Sequence, residues 1–415
     1  MKFAPANPTS AALDFATPDE FAVPDYKMPA TSATLEPEWS VLLAACSVIP
    51  ATEKHRRLRS LLQQPIRWKF LLDLADRHGT SQLLHQSLAG IAESVPGDEM
   101  RSLQQSHQLN VHKALRLSGE LIRVLDHLSS LRIEAIPYKG LALAETLYGD
   151  IALRQSGDID LLIRPQDFSR VREAVRELGF TPHTSLSEAQ QCAYLESGYE
   201  CSFDGTAGPN LLEVQWAIQP RFYAIDFDMP GLFQRAATVS VAGQSMRTLS
   251  NEDLFLVLSA HAAKHVWGRL IWLCDLARLM TLPNLNWPWI ASQARALGVA
   301  RILNVSMLMA NGLLGAGIPD AASRAGLTGD AVTPSLAEEI QTYIVRETPY
   351  NVESFAYFRL MMRLRERQAD RRRFLQRLIL TPGSGEWEAV ELPAALFPLY
   401  RLVRLSRLAA KMLRT

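Results

Sequence analysis

The sequence predicts an α+β fold: a small sheet with helices, flanked by helical regions on both sides. Two observations carry this. Up to about residue 130 and again from about 251, apolar residues recur at helical spacing, as at Trp39, Leu42, Leu43 and Cys46. Between them the texture changes to short β-rich runs, IEAIPY, DIDLLI, YECSF and LLEVQWAI, punctuated by Gly, Pro and polar turns.

In chain order, residues 1–36 are rich in Pro, Ala, Thr and Ser, with four acidic residues from Asp14 to Asp25, and read as a flexible leader. Residues 37–130 form the first helical region, closing in a long amphipathic helix over 99–130. The α/β unit spans 131–235. Within it, 133–138 is a strand ending at Lys139-Gly140, 141–148 a helix, and 158–163 a second strand closed by Arg164-Pro165. A helix over 166–178 follows, ended by Gly179. YECSF (199–203) and LLEVQWAI (211–218) form a hairpin around the turn-rich DGTAGPN. Residues 236–415 return to helices: one capped by Ser250 or Asn251 and running to His265, then 269–281, 287–298 and a basic amphipathic end.

Composition excludes several classes. Lys plus Arg and Asp plus Glu both number 43 in a chain of 415, so strong nucleic-acid binding is not expected; that needs a surplus of cations to release counterions. No run approaches the roughly 18 apolar residues that a spanning helix needs. The four cysteines, Cys46, Cys192, Cys201 and Cys274, form no C-x-x-C pair and suit a reducing cytoplasm, the expected location.

The chemistry centres on Lys139-Gly140, 17 residues, then Asp158-Ile159-Asp160. On a strand, residues two apart share a face, so the two carboxylates point the same way. Like charges that close repel, and a cation between them relieves the cost. Dense hard oxygen ligands suit Mg²⁺ or Mn²⁺. Glu213 joins the same face if its strand lies beside the first. Gly140, at a strand-to-helix turn, leaves room for phosphate at the helix N-terminus, and Lys139 and Arg154 supply positive charge. A lone D-x-D also occurs on solvated strand edges, but the apolar Leu161-Leu162-Ile163 behind this one favours a buried central strand.

The segment IPYKGLALAETLYGDIALRQSGDIDLLIRPQDFSRVREAVRELGF resembles the uncharacterised nucleotidyltransferases of the polymerase-β superfamily. The resemblance rests on Lys139, Gly140, Tyr148, Arg154, Asp158, Asp160, Leu161, Leu162 and Gly179-Phe180. LLEVQWAI resembles that family's acidic-x-His-Trp strand, with Glu213 and Trp216 in place and Gln215 where His is typical. His261, Lys264, His265, Arg269, Trp272 and Asp275 match its downstream helical motif, and Leu392-Pro393, Leu399-Tyr400 and Arg404 also fit, so the resemblance covers most of 38–410.

The resemblance implies a polymerase-β-like core with a small mixed sheet, and a metal-dependent transfer of a nucleoside monophosphate from an NTP to a hydroxyl acceptor, releasing pyrophosphate. Asp158, Asp160 and Glu213 are the implied catalytic and metal-binding residues; Lys139, Gly140, Arg154 and Lys264 would hold the nucleotide. The acceptor is a small molecule or a peptide, the latter in natural-product tailoring; a non-catalytic nucleotide-binding module is the other reading. His261, Lys264 and His265 fall on one helix face, fitting either a pocket or a helix contact. With Ala262 after the first histidine, H-E-x-x-H zinc chemistry does not apply. Arg371–Arg373 and Arg401, Arg404, Arg407, Lys411 and Arg414 read as solvated helix faces, with weak association to an anionic surface as the alternative.

Overall fold

The computed structural model describes residues 35–183, 187–206, 208–347, 354–382 and 384–412. The expected leader therefore lies outside the described residues, except for Leu35 and Glu36. The molecule is a mixed α+β structure with a small mixed sheet and helical flanks, as expected for a nucleotidyltransferase core.

Seven strands are described: β1 (Ala135–Pro137), β2 (Ile159–Ile163), β3 (Thr181–Pro182), β4 (Glu200–Gly205), β5 (Gly208–Gln215), β6 (Ala237–Val241) and β7 (Gln244–Thr248). The first five form one sheet in the order β1-β2-β5-β4-β3; β6 and β7 form a separate hairpin. All residues of β2 are buried, as its near-continuous apolar run dictates. It pairs antiparallel with β1 and parallel with β5, while β4 and β5 form the expected hairpin. The parallel register sets Asp160 directly beside Glu213.

Two expectations need correction. Asp158 is not on the strand: β2 begins at Ile159, and Asp158 lies in the bend just before it. There the chain rounds the start of the helix Gly140–Tyr148, where a Cβ on Gly140 would sit 3.4 Å from the Asp158 carbonyl oxygen. The hairpin β6–β7 falls in a stretch read as helical. Its alternation is carried by only Val239, Val241 and Met246 among short polar residues, a faint signal. The turn at Ala242-Gly243, both at positive φ, closes it.

The long helix runs over Gly97–Ser130, with Asp98 and Glu99 in its first turn opposing the helix dipole. It links two cores. Leu103 packs into the larger, which joins the N-terminal helices to those after 249; Leu117, Leu121 and Leu128 pack into the smaller, under the sheet. The helix Phe168–Glu177 covers the sheet with Phe168, Val171, Ala174 and Val175, and Gly179 at φ +87 ends it. Ser250 caps the helix Asn251–Lys264 by accepting from the Asp253 N–H. Among the described residues no helix is long and apolar enough to cross a membrane, and all four cysteines are free thiols.

Candidate functional site

The inner strands β2, β5 and β4, the start of the helix Gly140–Tyr148, the long helix and the end of the helix Asn251–Lys264 enclose a cavity of about 720 Å³. That is the size of a small-molecule site. Every residue predicted for the site lines it: Lys139, Gly140, Arg154, Asp158, Asp160, Glu213 and Lys264.

The carboxylates form one cluster. Asp160 is 7% exposed, and its Oδ1 accepts from Lys139 Nζ at 2.9 Å. Burial, then repulsion from Asp160, raises the Asp158 carboxyl to about 6. Burial followed by the charges of Asp160, Glu200 and Asp158 raises Glu213 to about 8. Lys139 is held charged: burial opposes the ammonium, and Asp160, Tyr138 and Glu213 together outweigh it. The cluster is therefore short of positive charge. Among the described residues no three such side chains stand close enough to form a finished metal site.

Gln215 organises this cluster from beneath. It is 1% exposed, and its Nε2 donates to Asp160 Oδ1, Glu213 Oε2 and Glu200 Oε2, each at 3.2 Å. Its Oε1 accepts from the buried Tyr138 hydroxyl, which fixes the amide's orientation. The departure at Gln215 thus places a neutral donor among carboxylates, a task an imidazole N–H can also perform.

Beside the carboxylates is a cradle. Lys139 is extended and Gly140 starts the helix at φ +51, a conformation that favours glycine. A Cβ there would also sit 3.6 Å from Ser156 Oγ. Ser156 is 9% exposed, lines the cavity and has no hydrogen-bond partner for its hydroxyl. An unpaired buried hydroxyl beside a helix N-terminus is a place for an anion's oxygen.

Arg154 reaches the cavity but is also tied down. Its Nε and Nη2 bind both carboxylate oxygens of Asp275 at 3.0–3.1 Å, and Tyr148 donates to the same carboxylate at 2.8 Å. This explains structurally why Tyr148, Arg154 and Asp275 occur together. His261, His265 and Trp272 form a three-ring cluster with centroids 4.9–5.2 Å apart. Burial and nearby lysines push both imidazoles down, His265 to about 3, so both are neutral. Lys264 donates to the Tyr199 hydroxyl at 2.8 Å and lies over its ring. Burial lowers its pKa against the pull of Glu200. This helix face both lines the cavity and packs on Trp272 of the next helix.

Sequence reasoning missed Ser156, Tyr199, Glu200, Asn110 and Lys113, which also line the cavity. Glu200 had one available signal: it is the Cα partner of Gln215 across the predicted hairpin. Lys113, on the exposed side of a long helix, had none.

A carboxylate cluster on a small mixed sheet, next to a helix N-terminus opening into a nucleotide-sized cavity, defines a nucleotidyltransferase-type core. The family model described as uncharacterised nucleotidyltransferase matches residues 64–315, and the chain belongs to that family. The match is narrower than the resemblance drawn over 38–410, and leaves Tyr400 and Arg404 outside it. No curated protein and no solved structure matches the chain.

Proposed function

We propose that the protein transfers a nucleoside monophosphate from an NTP to a hydroxyl acceptor, a small molecule or a peptide, with release of pyrophosphate, and that it works in the cytoplasm. One observation carries the reading: Asp160 and Glu213 are in register on neighbouring parallel strands, with Asp158 two residues before Asp160, facing the cavity that holds the Gly140 helix start.

The charge balance supports a divalent cation. Five carboxylates line the cavity against five Lys and Arg side chains, and Asp275 already neutralises Arg154. A triphosphate entering this space lacks countercharge. Asp158, Asp160 and Glu213 would hold Mg²⁺ or Mn²⁺, which when bound supplies countercharge for the departing pyrophosphate and lowers the pKa of the attacking hydroxyl. Lys139 is the chain's own contribution: released from Asp160, its ammonium can meet a phosphate oxygen. The Gly140 N-terminus and the Ser156 hydroxyl orient the phosphates. Neutral His261 and His265, clustered with Trp272, give an aromatic wall for a base or an acceptor ring. Lys264 donates to Tyr199 and stands ready to bind a further anion.

A second reading, a nucleotide-binding module without turnover, is favoured by one observation: Lys139 and the Gln215 amide already satisfy carboxylate oxygens. Label transfer separates the two. Wild type and Asp160→Asn are incubated with each labelled NTP, Mg²⁺ or Mn²⁺, and a lysate-derived acceptor pool, with circular dichroism as the fold check. Transfer by wild type and none by the variant is expected. Equal transfer by a folded Asp160→Asn protein overturns the reaction; metal-dependent binding with no turnover turns the assignment to the binding module.

A further inference from the structure

A second cavity, of about 690 Å³, is lined by a separate set of residues. The segment 196–200 borders both: Glu196 and Ser197 line the second, Tyr199 and Glu200 the first. Arg373 and Arg401, read from the sequence as solvated helix faces, are gathered here with Arg221 and Arg377. Four guanidinium groups thus converge from three separate elements, the turn Arg221–Tyr223 and the helices Gln368–Leu380 and Tyr400–Met412.

Their countercharge is incomplete. Asp226 binds Arg377 at 2.6 and 2.8 Å and lies 3.7 Å from Arg373, which also binds Asp370 at 2.6 Å; among the described residues the charges left without an ion pair are those of Arg221 and Arg401. Among the described residues, Arg221 donates only to a neutral carbonyl, that of Glu196, at 3.1 Å. Arg401 has no ion pair among the described residues. Among the described residues, the Glu196 carboxylate is the one acidic group on the wall itself.

Two buried hydrogen-bonding groups on the same wall are also unpaired. Trp387 is 5% exposed and its indole N–H meets no acceptor; the buried Ser197 hydroxyl has no partner. Buried polar groups are nearly always satisfied, so two orphans lining one arginine-rich cavity point to an absent acceptor. One carboxylate offers too few oxygens for these donors, whereas a phosphate brings three and up to two charges. Phe397, packed edge-on to Trp387 at 5.2 Å, adds an apolar aromatic surface beside them.

We propose that this cavity is a second binding site, for a ligand carrying a phosphate on an apolar or aromatic body. The arginines and the Trp387 N–H take the phosphate, and Phe397 and the Trp387 ring take the body. The site stands independently of nucleotide transfer. Its phosphate can come from a soluble monoester or a lipid headgroup.

Titration calorimetry of the full chain at low salt tests it, with phenyl phosphate as the soluble probe and phosphatidic-acid vesicles as the lipid probe. Saturable binding of at least one probe is expected. It should persist in Lys139→Gln, a first-cavity substitution whose fold is checked by circular dichroism, and be weakened roughly tenfold or more in Arg401→Gln, since a lost charge-assisted hydrogen bond is worth about that factor. Binding of phenyl phosphate identifies a soluble ligand; binding of vesicles alone identifies a headgroup. No saturable binding of either probe overturns the proposal, as does binding that survives Arg401→Gln and vanishes in Lys139→Gln. Arg401 is exposed and unpaired, so its replacement leaves the fold intact.

Discussion

At the scale of single residues, buried polar groups decide more than exposed ones. His78 is 5% exposed; its Nδ1 accepts from the Leu270 N–H at 3.1 Å and its carbonyl from the Ile271 N–H at 3.2 Å. It therefore sets the start of the helix that carries Trp272 and Asp275. Burial, helped by Arg77 and Arg269 and opposed by Glu347, lowers its imidazole from 6.5 to about 4. Between those values the unfolded chain binds a proton that the folded one refuses, so stability is present above pH 6.5 and is lost as pH falls through about 4. Replacing His78 by Asn keeps an acceptor and removes the titration. Urea midpoints at pH 7 and pH 5 should fall more for wild type than for His78→Asn; the other lowered histidines act equally in both proteins and cancel. Parallel losses would remove His78 from the account. Such roles were partly hidden in the sequence. Asp158-x-Asp160 and Lys139-Gly140 were legible because their spacing constrains geometry. His78 was not, since it acts through Leu270 and Ile271, distant in sequence, and neither was Ser156, whose hydroxyl has no partner to mark it.

At the scale of elements, the site depends on how one helix docks. The helix Leu270–Thr281 is tied to the loop before β2 by the Arg154–Asp275 pair, with Tyr148 as a third member from the helix Gly140–Tyr148. Both charges are buried. Removing one partner leaves the other charge buried alone, at a cost of about 3–5 kcal/mol. Asp275→Ala should therefore lower unfolding free energy by about that amount in denaturant titration, with Asp275→Asn losing less because it still accepts hydrogen bonds. A loss under about 1 kcal/mol, typical of an exposed pair, would mean the pair is solvated and does not hold the helix. The sequence placed these helices and the β4–β5 hairpin well, because apolar periodicity and turn residues are local signals. It could not show the parallel β2–β5 pairing, which joins strands separated by two helices and two strands. Nor did it show β6–β7, whose apolar face holds only three residues.

At the scale of the whole molecule, a chain of 415 residues would ordinarily divide into domains. Here the packing argues for one cooperative unit. Leu42, Leu58 and Leu84 from the N-terminal helices share a core with Leu303, Leu336 and Phe374 from beyond the sheet, and the Val48 N–H donates to the Leu314 carbonyl at 3.0 Å. The long helix Gly97–Ser130 then ties that core to the one under the sheet through Leu103 at one end and Leu117 and Leu121 further along. Breaking either core frees this helix and exposes the other. Calorimetry should accordingly show a single transition, with its calorimetric and van't Hoff enthalpies in agreement. Leu42→Ala should cost about 2–5 kcal/mol. Although Leu42 is in the larger core, the loss should appear equally in hydrogen-exchange protection of the β2 amides and of the helix Ala300–Leu314. Two resolved transitions, or a loss confined to the Ala300–Leu314 helix with β2 unmoved, would show instead that the sheet and its carboxylates fold on their own, and that the helical flanks shape the cavity without holding β2 and β5 in register.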